Sequence, residues 1–224
     1  MGSSSRVPPY ARRRLSRWTK RAFDVAGAGT ALVALAPVMG VVAVAIRRDM
    51  GSPVLFRQER PGFKGRPFTL RKFRTMRAPR PGEDALRSDA DRVTRLGAFL
   101  RRTSLDELPE LWNVLVGEMS LVGPRPLLME YLERYTAREM QRHEMPPGLT
   151  GLAQIRDRHR QRFSQKLAAD LEYIDEWSLR LDLKILLQTF GVLTGGGELD
   201  AESLEDADDL GLTGTAPRKV DDGA

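Results

Sequence analysis

Val25–Ile46 reads VAGAGTALVALAPVMGVVAVAI, 22 consecutive residues without a charge. As a helix at about 1.5 Å per residue it is roughly 33 Å long, enough to reach across the hydrocarbon core of a bilayer. A secretory signal fits poorly, because the stretch begins well inside the chain and runs into Arg47-Arg48 rather than a small-residue cleavage site. No polar stripe interrupts it, which also argues against the core helix of a soluble domain. Basic residues stand on both flanks: Arg12, Arg13, Arg14, Arg17, Lys20 and Arg21 before, Arg47, Arg48, Arg57 and Arg60 after. A straight crossing gathers positive charge mainly on its cytoplasmic side, so symmetric flanks favour two ends on that one side. Pro37 lacks a backbone donor and its ring crowds the preceding turn. The run is therefore expected to be a re-entrant helix–break–helix that enters one leaflet and returns, with a single kinked crossing as the alternative.

Outward from this run, charge is unevenly spread over the 224 residues. The net charge is +6, but from Glu198 onward nine acids meet only Arg218 and Lys219, so residues 1–197 hold 34 bases against 21 acids, a net of +13. A basic body suits phosphate-rich partners such as an anionic membrane surface, a nucleotide or nucleic acid. A nucleic-acid binder, suggested by a pI near 10, leaves the apolar run without a purpose, and aromatic residues for stacking bases are few; no nucleic-acid partner is expected. The chain has no cysteine and two histidines, which excludes disulfides and thiolate sites and disfavours zinc.

Four segments follow. Residues 1–19 are basic and carry Tyr10 and Trp18, suited to lipid headgroups; 20–48 form the membrane element; 49–194 form a catalytic domain; 195–224 are an acidic, Gly- and Asp-rich tail expected to be disordered. Strands are predicted at Pro53–Arg57 and Phe68–Met76, joined as a β-hairpin by the turn-forming Arg60–Pro67. Residues 77–91 read as a polar loop. Helices are predicted over about Val93–Arg102, Leu105–Val116, Leu127–His143 and Phe163–Leu193, the last with a break near Trp177–Leu181. The fold class is α/β, mostly α.

Thr103-Ser104-Leu105-Asp106-Glu107-Leu108-Pro109 is the most informative run for chemistry. Ser104-x-x-Glu107 fits a capping box, and acids suit the first turn of a helix. The same placement has a chemical use: backbone N–H groups there hold a carboxylate ionised and receive phosphate. Asp106 is then a candidate nucleophile toward phosphorus, and Glu107 a candidate ligand of Mg²⁺, which takes one or two carboxylates beside substrate phosphates. Pro124-Arg125-Pro126 stiffens the chain about an arginine suited to a diphosphate; an ordinary turn with an exposed arginine remains the alternative. Pro147–Gln154 is a second tight turn, ambiguous alone.

Together these runs resemble the bacterial sugar transferase family, the monotopic phosphoglycosyl transferases. The resemblance is carried by Lys20-Arg21-x-Phe23-Asp24, the apolar run with Pro37, Pro53–Gly62, Lys72–Met76, Thr103–Pro109, Met119–Pro126, Pro147–Gly151, Ala153-Gln154 and Leu181–Leu186, in order from Lys20 to Leu193. It implies a re-entrant membrane helix on an α/β domain with interfacial helices, at the cytoplasmic face of the bacterial inner membrane. It implies ping-pong chemistry: Asp106 attacks the β-phosphate of a UDP-sugar, UMP leaves, and undecaprenyl phosphate takes the sugar phosphate from the enzyme. Glu107 matches the acid associated with Mg²⁺, and Arg125, between Pro124 and Pro126, the arginine near phosphate. Lys72, Arg74, Gln154, Arg158 and Asp182 are carried over as substrate-binding positions, although Asp182 equally suits a helix surface. Two departures stand out. The membrane break, often Ser-Pro, is Ala36-Pro37; and the usual Asn-Gly-Arg-Asn stretch reads Arg156-Asp157-Arg158-His159, which leaves the donor sugar open. A basic membrane-associated protein that binds anionic lipid without catalysis is the alternative function. The oligomeric state is not given by the sequence.

Overall fold

A computed structural model describes Tyr10 and residues 14–81, 83, 89–156 and 162–194. The tail from 195, most of the first thirteen residues and Arg158 lie outside the described residues, so the expectations placed on them stand as sequence readings.

Helix α1 spans Arg14–Met50, 37 residues with Pro37 inside it. The break expected at Pro37 is not formed. Leu35 packs on the cluster of Ala28, Phe68, Leu70, Leu111, Val114 and Met119. Met39, one turn on, packs on Val42, Ile46, Phe73 and Leu100. Contacts on either side of the proline thus hold both halves to one domain, and packing outweighs the single hydrogen bond that Pro37 cannot donate. Lys20, Asp24, Ala28, Val42 and Ile46 are buried along one stripe, whereas Trp18, Val33 and Val41 on other faces are more than two-thirds exposed. The helix is long and apolar enough to cross a membrane.

Both ends of α1 are fastened to the same domain. At the start, Arg21 donates to the carbonyls of Val114 (2.6 Å) and Leu115 (2.7 Å), the last turn of α4 (Glu110–Val116). At the far end the Arg74 guanidinium donates to the carbonyls of Met50 and Gly51. Cations on the final carbonyls of each helix complement its dipole.

Strands β1 (Leu55–Pro61) and β2 (Pro67–Phe73) form the hairpin, with Leu55 opposite Phe73 and Pro61 opposite Pro67. After the short α2 (Asp89–Arg92), α3 covers Arg95–Arg102, where the Thr94 side chain accepts from Gly97 N. Gly97 lies so close to β2's extension that a Cβ there would sit 1.9 Å from Thr75 O. The helix expected from Leu105 is instead a 3-10 turn at Leu105–Glu107, and α4 begins only after Pro109. The Ser104 capping box is not formed: Ser104 is left-handed (φ 56°) and its side chain makes no cap.

The two glycine-rich turns turn out to be one structure. β3 (Ser120–Val122) and β4 (Gly148–Thr150) pair in parallel. Gly123 N donates to Thr150 O and Gly148 N to Pro124 O, each at 2.9 Å. A Cβ on Gly148 would lie 2.1 Å from Gly123 N, so only glycine permits the approach. Between them the helix expected over Leu127–His143 is replaced by 3-10 turns at Met129–Arg134 and Glu139–Glu144. The chain is extended at Tyr135, and Glu139 accepts from Thr136 N (2.8 Å), a local bond that restarts the turn instead of extending a helix. Then come α5 (Leu152–Arg156), α6 (Phe163–Glu176) and α7 (Leu179–Thr194). The expected break near Trp177 is where α6 and α7 part. Tyr173, Ile174, Trp177 and Ile185 pack there against Val122, Met145 and Leu152.

Candidate active site

Four pieces of chain converge at the turn before α4. Asn113, fully buried, joins α4 to β2: its Oδ1 accepts from Arg71 N (3.2 Å) and its Nδ2 donates to Thr69 O (2.7 Å). This fixes Lys72 against the acids. Lys72 Nζ donates to Glu107 Oε1 at 2.9 Å and lies 3.1 Å from Glu110 Oε1. Arg125 Nη2 donates to the same Glu107 oxygen at 2.5 Å. The loop that carries Arg125 is held from behind, since Arg142 Nη2 donates to Arg125 O (2.7 Å) while paired with buried Asp170. Pro124 and Pro126 are buried on either side.

Within this cluster the three acids differ. Asp106 is 8% exposed, and among the described residues no hydrogen bond or ion pair reaches its carboxylate. The backbone N–H groups that the sequence reading assigned to it do not bond it. Burial raises its pKa, Glu107 raises it further, and Lys72, Arg125 and Arg101 oppose. Glu107 is also penalised by burial, but Arg125 and Lys72 more than offset that and hold it down at about 2. Glu110, 4% exposed, is pushed up to about 7 by burial against the pull of Lys72, and its Oε1 has no well-formed hydrogen bond. Arg60 adds a second guanidinium: burial and then the nearby Arg125 lower its pKa. A desolvated carboxylate within the field of three cations, Lys72, Arg125 and Arg101, is suited to receiving a phosphate group and attacking it.

No three acids or histidines converge as a ready metal cage among the described residues. The donor set nevertheless fits Mg²⁺ arriving with a diphosphate. Lys72 and Arg125 both use Glu107 Oε1, which leaves Oε2 and the Asp106 carboxylate for the one or two protein oxygens such an ion takes.

The structure thus brings together Asp106, Glu107, Arg125 and Lys72. Arg74 clasps the end of α1 instead. Asp182 is neither on a helix surface nor bonded to the acid cluster. It is 4% exposed, and accepts from Lys20 Nζ (2.7 Å), Tyr173 Oη (2.7 Å) and Trp177 Nε1 (3.3 Å). Gln154 lies in α5 with its carboxamide buried and unbonded. Sequence reasoning missed Glu110, Asn113 and the Arg142–Asp170 pair. Glu110 carried a signal, a third acid four residues after Asp106.

Comparison with known proteins supplies the remaining context. Residues 15–196 match the family model described as bacterial sugar transferase. The chain is 48% identical over 170 residues to the uncharacterized sugar transferase EpsL of Bacillus subtilis, covering 76% of this chain and 84% of that protein. It is 46% identical to the undecaprenyl-phosphate glucose phosphotransferase of Komagataeibacter xylinus, covering 80% of this chain but only 37% of that longer protein. It is also 46% identical to the UDP-glucose:undecaprenyl-phosphate glucose-1-phosphate transferase of Caulobacter vibrioides, over 76% of this chain and 67% of the other.

Proposed function

The chain belongs to the bacterial sugar transferase family, and on that premise we propose that it is an enzyme moving a sugar 1-phosphate from a UDP-sugar to undecaprenyl phosphate through an adduct on Asp106. The observation that carries the reading is the bare, buried Asp106 carboxylate beside the Lys72–Glu107–Arg125 linkage.

Asp106 has no donor to shed before it attacks. One of its oxygens bonds to the β-phosphorus, the bond from that phosphorus to the bridging oxygen breaks, and UMP leaves with the oxygen and the electron pair. Lys72, Arg125 and Arg60 neutralise charge on the phosphoryl oxygens, which is most of what phosphoryl transfer asks of a protein. A phosphate oxygen of undecaprenyl phosphate then attacks the same phosphorus. The Asp106–phosphorus bond breaks, and the carboxylate returns with undecaprenyl-diphosphate sugar as product. Glu107 and Asp106 would be the residues to hold Mg²⁺, which when bound would supply charge neutralisation on the diphosphate. Named relatives use UDP-glucose, which makes it the first donor to try.

The site is assigned to the cytoplasmic face of the bacterial inner membrane. Two features support one-sided, monotopic attachment: basic residues flank both ends of the apolar run, and both ends are tied to one domain. The basic body then rests on anionic lipid.

Detergent-solubilised protein incubated with UDP-sugars, Mg²⁺ and undecaprenyl phosphate should release UMP. Asp106→Asn should abolish both UMP and the phosphosugar adduct seen by mass spectrometry. Near-normal turnover in that variant, or an adduct on another residue, overturns the assignment.

A further inference from the structure

The hairpin holds a groove outside the acid cluster. It has a volume of about 690 Å³ and is lined by Pro53, Val54, Leu55, Phe56, Arg57 and Arg74. That volume is within the range of small-molecule sites.

Register relates the groove to the chemistry. Residues directly opposite in an antiparallel pair project to the same face, and alternate residues share it. Phe56 stands opposite Lys72, and Arg74 N donates to Val54 O at 2.9 Å, which extends the pairing by one residue. Val54, Phe56, Lys72 and Arg74 therefore share one face. Two residues of strand, about 7 Å, separate Lys72 at the acids from Arg74 in the groove. The other end of the groove meets the membrane element. Val54 and Leu55 pack on the cluster that holds Val42, Ile46 and Met50 of α1, and Arg74 grips the carbonyls of Met50 and Gly51. Phe56 is 46% exposed. Arg57 is exposed and has no partner among the described residues.

An apolar groove that begins at the end of α1 and stops about 7 Å of strand short of Lys72, with Arg57 and Arg74 in its lining, matches a long hydrocarbon carrying one phosphate. We propose that this groove seats the lipid acceptor, its phosphate toward Lys72 and its first isoprene units along Val54 and Phe56. The proposal rests on the lipid-phosphate reading of the function. It adds the route by which that substrate reaches Asp106.

Two variants and one probe test it. Phe56→Asp and Arg57→Glu change exposed side chains, and thermal melting checks their folding. Each should raise the KM for undecaprenyl phosphate at least tenfold while the KM for the UDP-sugar moves less than twofold. A lipid KM within twofold of the parent overturns the proposal. A polyprenyl phosphate bearing a photoreactive group near its head, irradiated with the unaltered protein, should label residues 53–57 whether or not turnover occurs. Competition by undecaprenyl phosphate but not by phosphatidylglycerol supports the acceptor. Equal competition by phosphatidylglycerol, or labelling elsewhere, overturns it. If the unaltered protein forms no product yet labels at 53–57, the catalytic reading fails and the groove stands as a lipid-phosphate site.

Discussion

Two buried charge clusters in this protein are built in opposite ways. Around Asp182 every polar group is answered: Lys20 donates to its carboxylate and to Val122 O (3.0 Å), and Tyr173 and Trp177 take the remaining acceptor capacity. Around Asp106 charges outnumber bonds. Two cations crowd one oxygen of Glu107, Glu110 lacks a well-formed hydrogen bond, and Asp106 has none. A satisfied cluster is a joint, here between α1 and α7, and gains nothing from a ligand. An under-satisfied one retains the desolvation cost that an arriving phosphate and cation relieve.

Substitution separates the two most sharply. Asp182→Ala leaves Lys20 buried without its counter-charge and should destabilise the protein by about 3–5 kcal/mol, read by chemical denaturation in detergent. Lys20→Met with Asp182→Leu together should recover most of that loss. Asp106→Asn should do the reverse, with turnover down by at least about a thousandfold, a barrier increase of about 4 kcal/mol, and stability equal or slightly raised. A stable, catalytically dead Asp182→Ala would break the contrast and return Asp182 to substrate binding.

A smaller effect lies in pH. Glu110 is pushed up to about 7 from its ordinary 4.5. Below about 4.5 it is protonated in both folded and unfolded chains, and above about 7 it is ionised in both. Between them only the unfolded chain has released the proton, so the folded state loses stability as pH rises across that window, by about 1–3 kcal/mol. Glu110→Gln should flatten melting temperature between pH 5 and 7. An unchanged slope would place Glu110 with the satisfied cluster.

The smallest expected change is Arg125→Lys. Lysine keeps the charge but loses the planar fork, so kcat/KM should fall about tenfold, roughly 1.4 kcal/mol, with Tm nearly unchanged because this side chain is 43% exposed. A large drop in Tm would make Arg125 a structural strut of the Glu107 linkage.

Much of the fold was legible for local reasons. Turn formers between Arg60 and Pro67 announce the hairpin, but the observed strands Leu55–Pro61 and Pro67–Phe73 share only Leu55–Arg57 and Phe68–Phe73 with the expected ones, because pairing continues through Arg60 and Pro61 into the expected turn. The parting of α6 from α7 also fell where expected. The region from Leu127 to His143 was misread as one helix because its composition is helical, while its conformation is set by the burial of Arg142 against Asp170. The parallel pairing of β3 with β4 escaped notice because each strand is three residues long and its partner lies more than twenty residues away.

The sequence by itself determined that a 22-residue apolar run exists, that its flanks are basic, and that an acid pair and a Pro-Arg-Pro loop follow it; these depend on residue type and near-neighbour spacing. Only the tertiary structure decided that α1 continues through Pro37, that Asp182 is locked while Asp106 is bare, and that Glu110 belongs with the pair. The reason is that a carboxylate's state depends on which donors and how much water surround it. Those partners come from distant chain, as with Lys20 and Asp182, 162 residues apart.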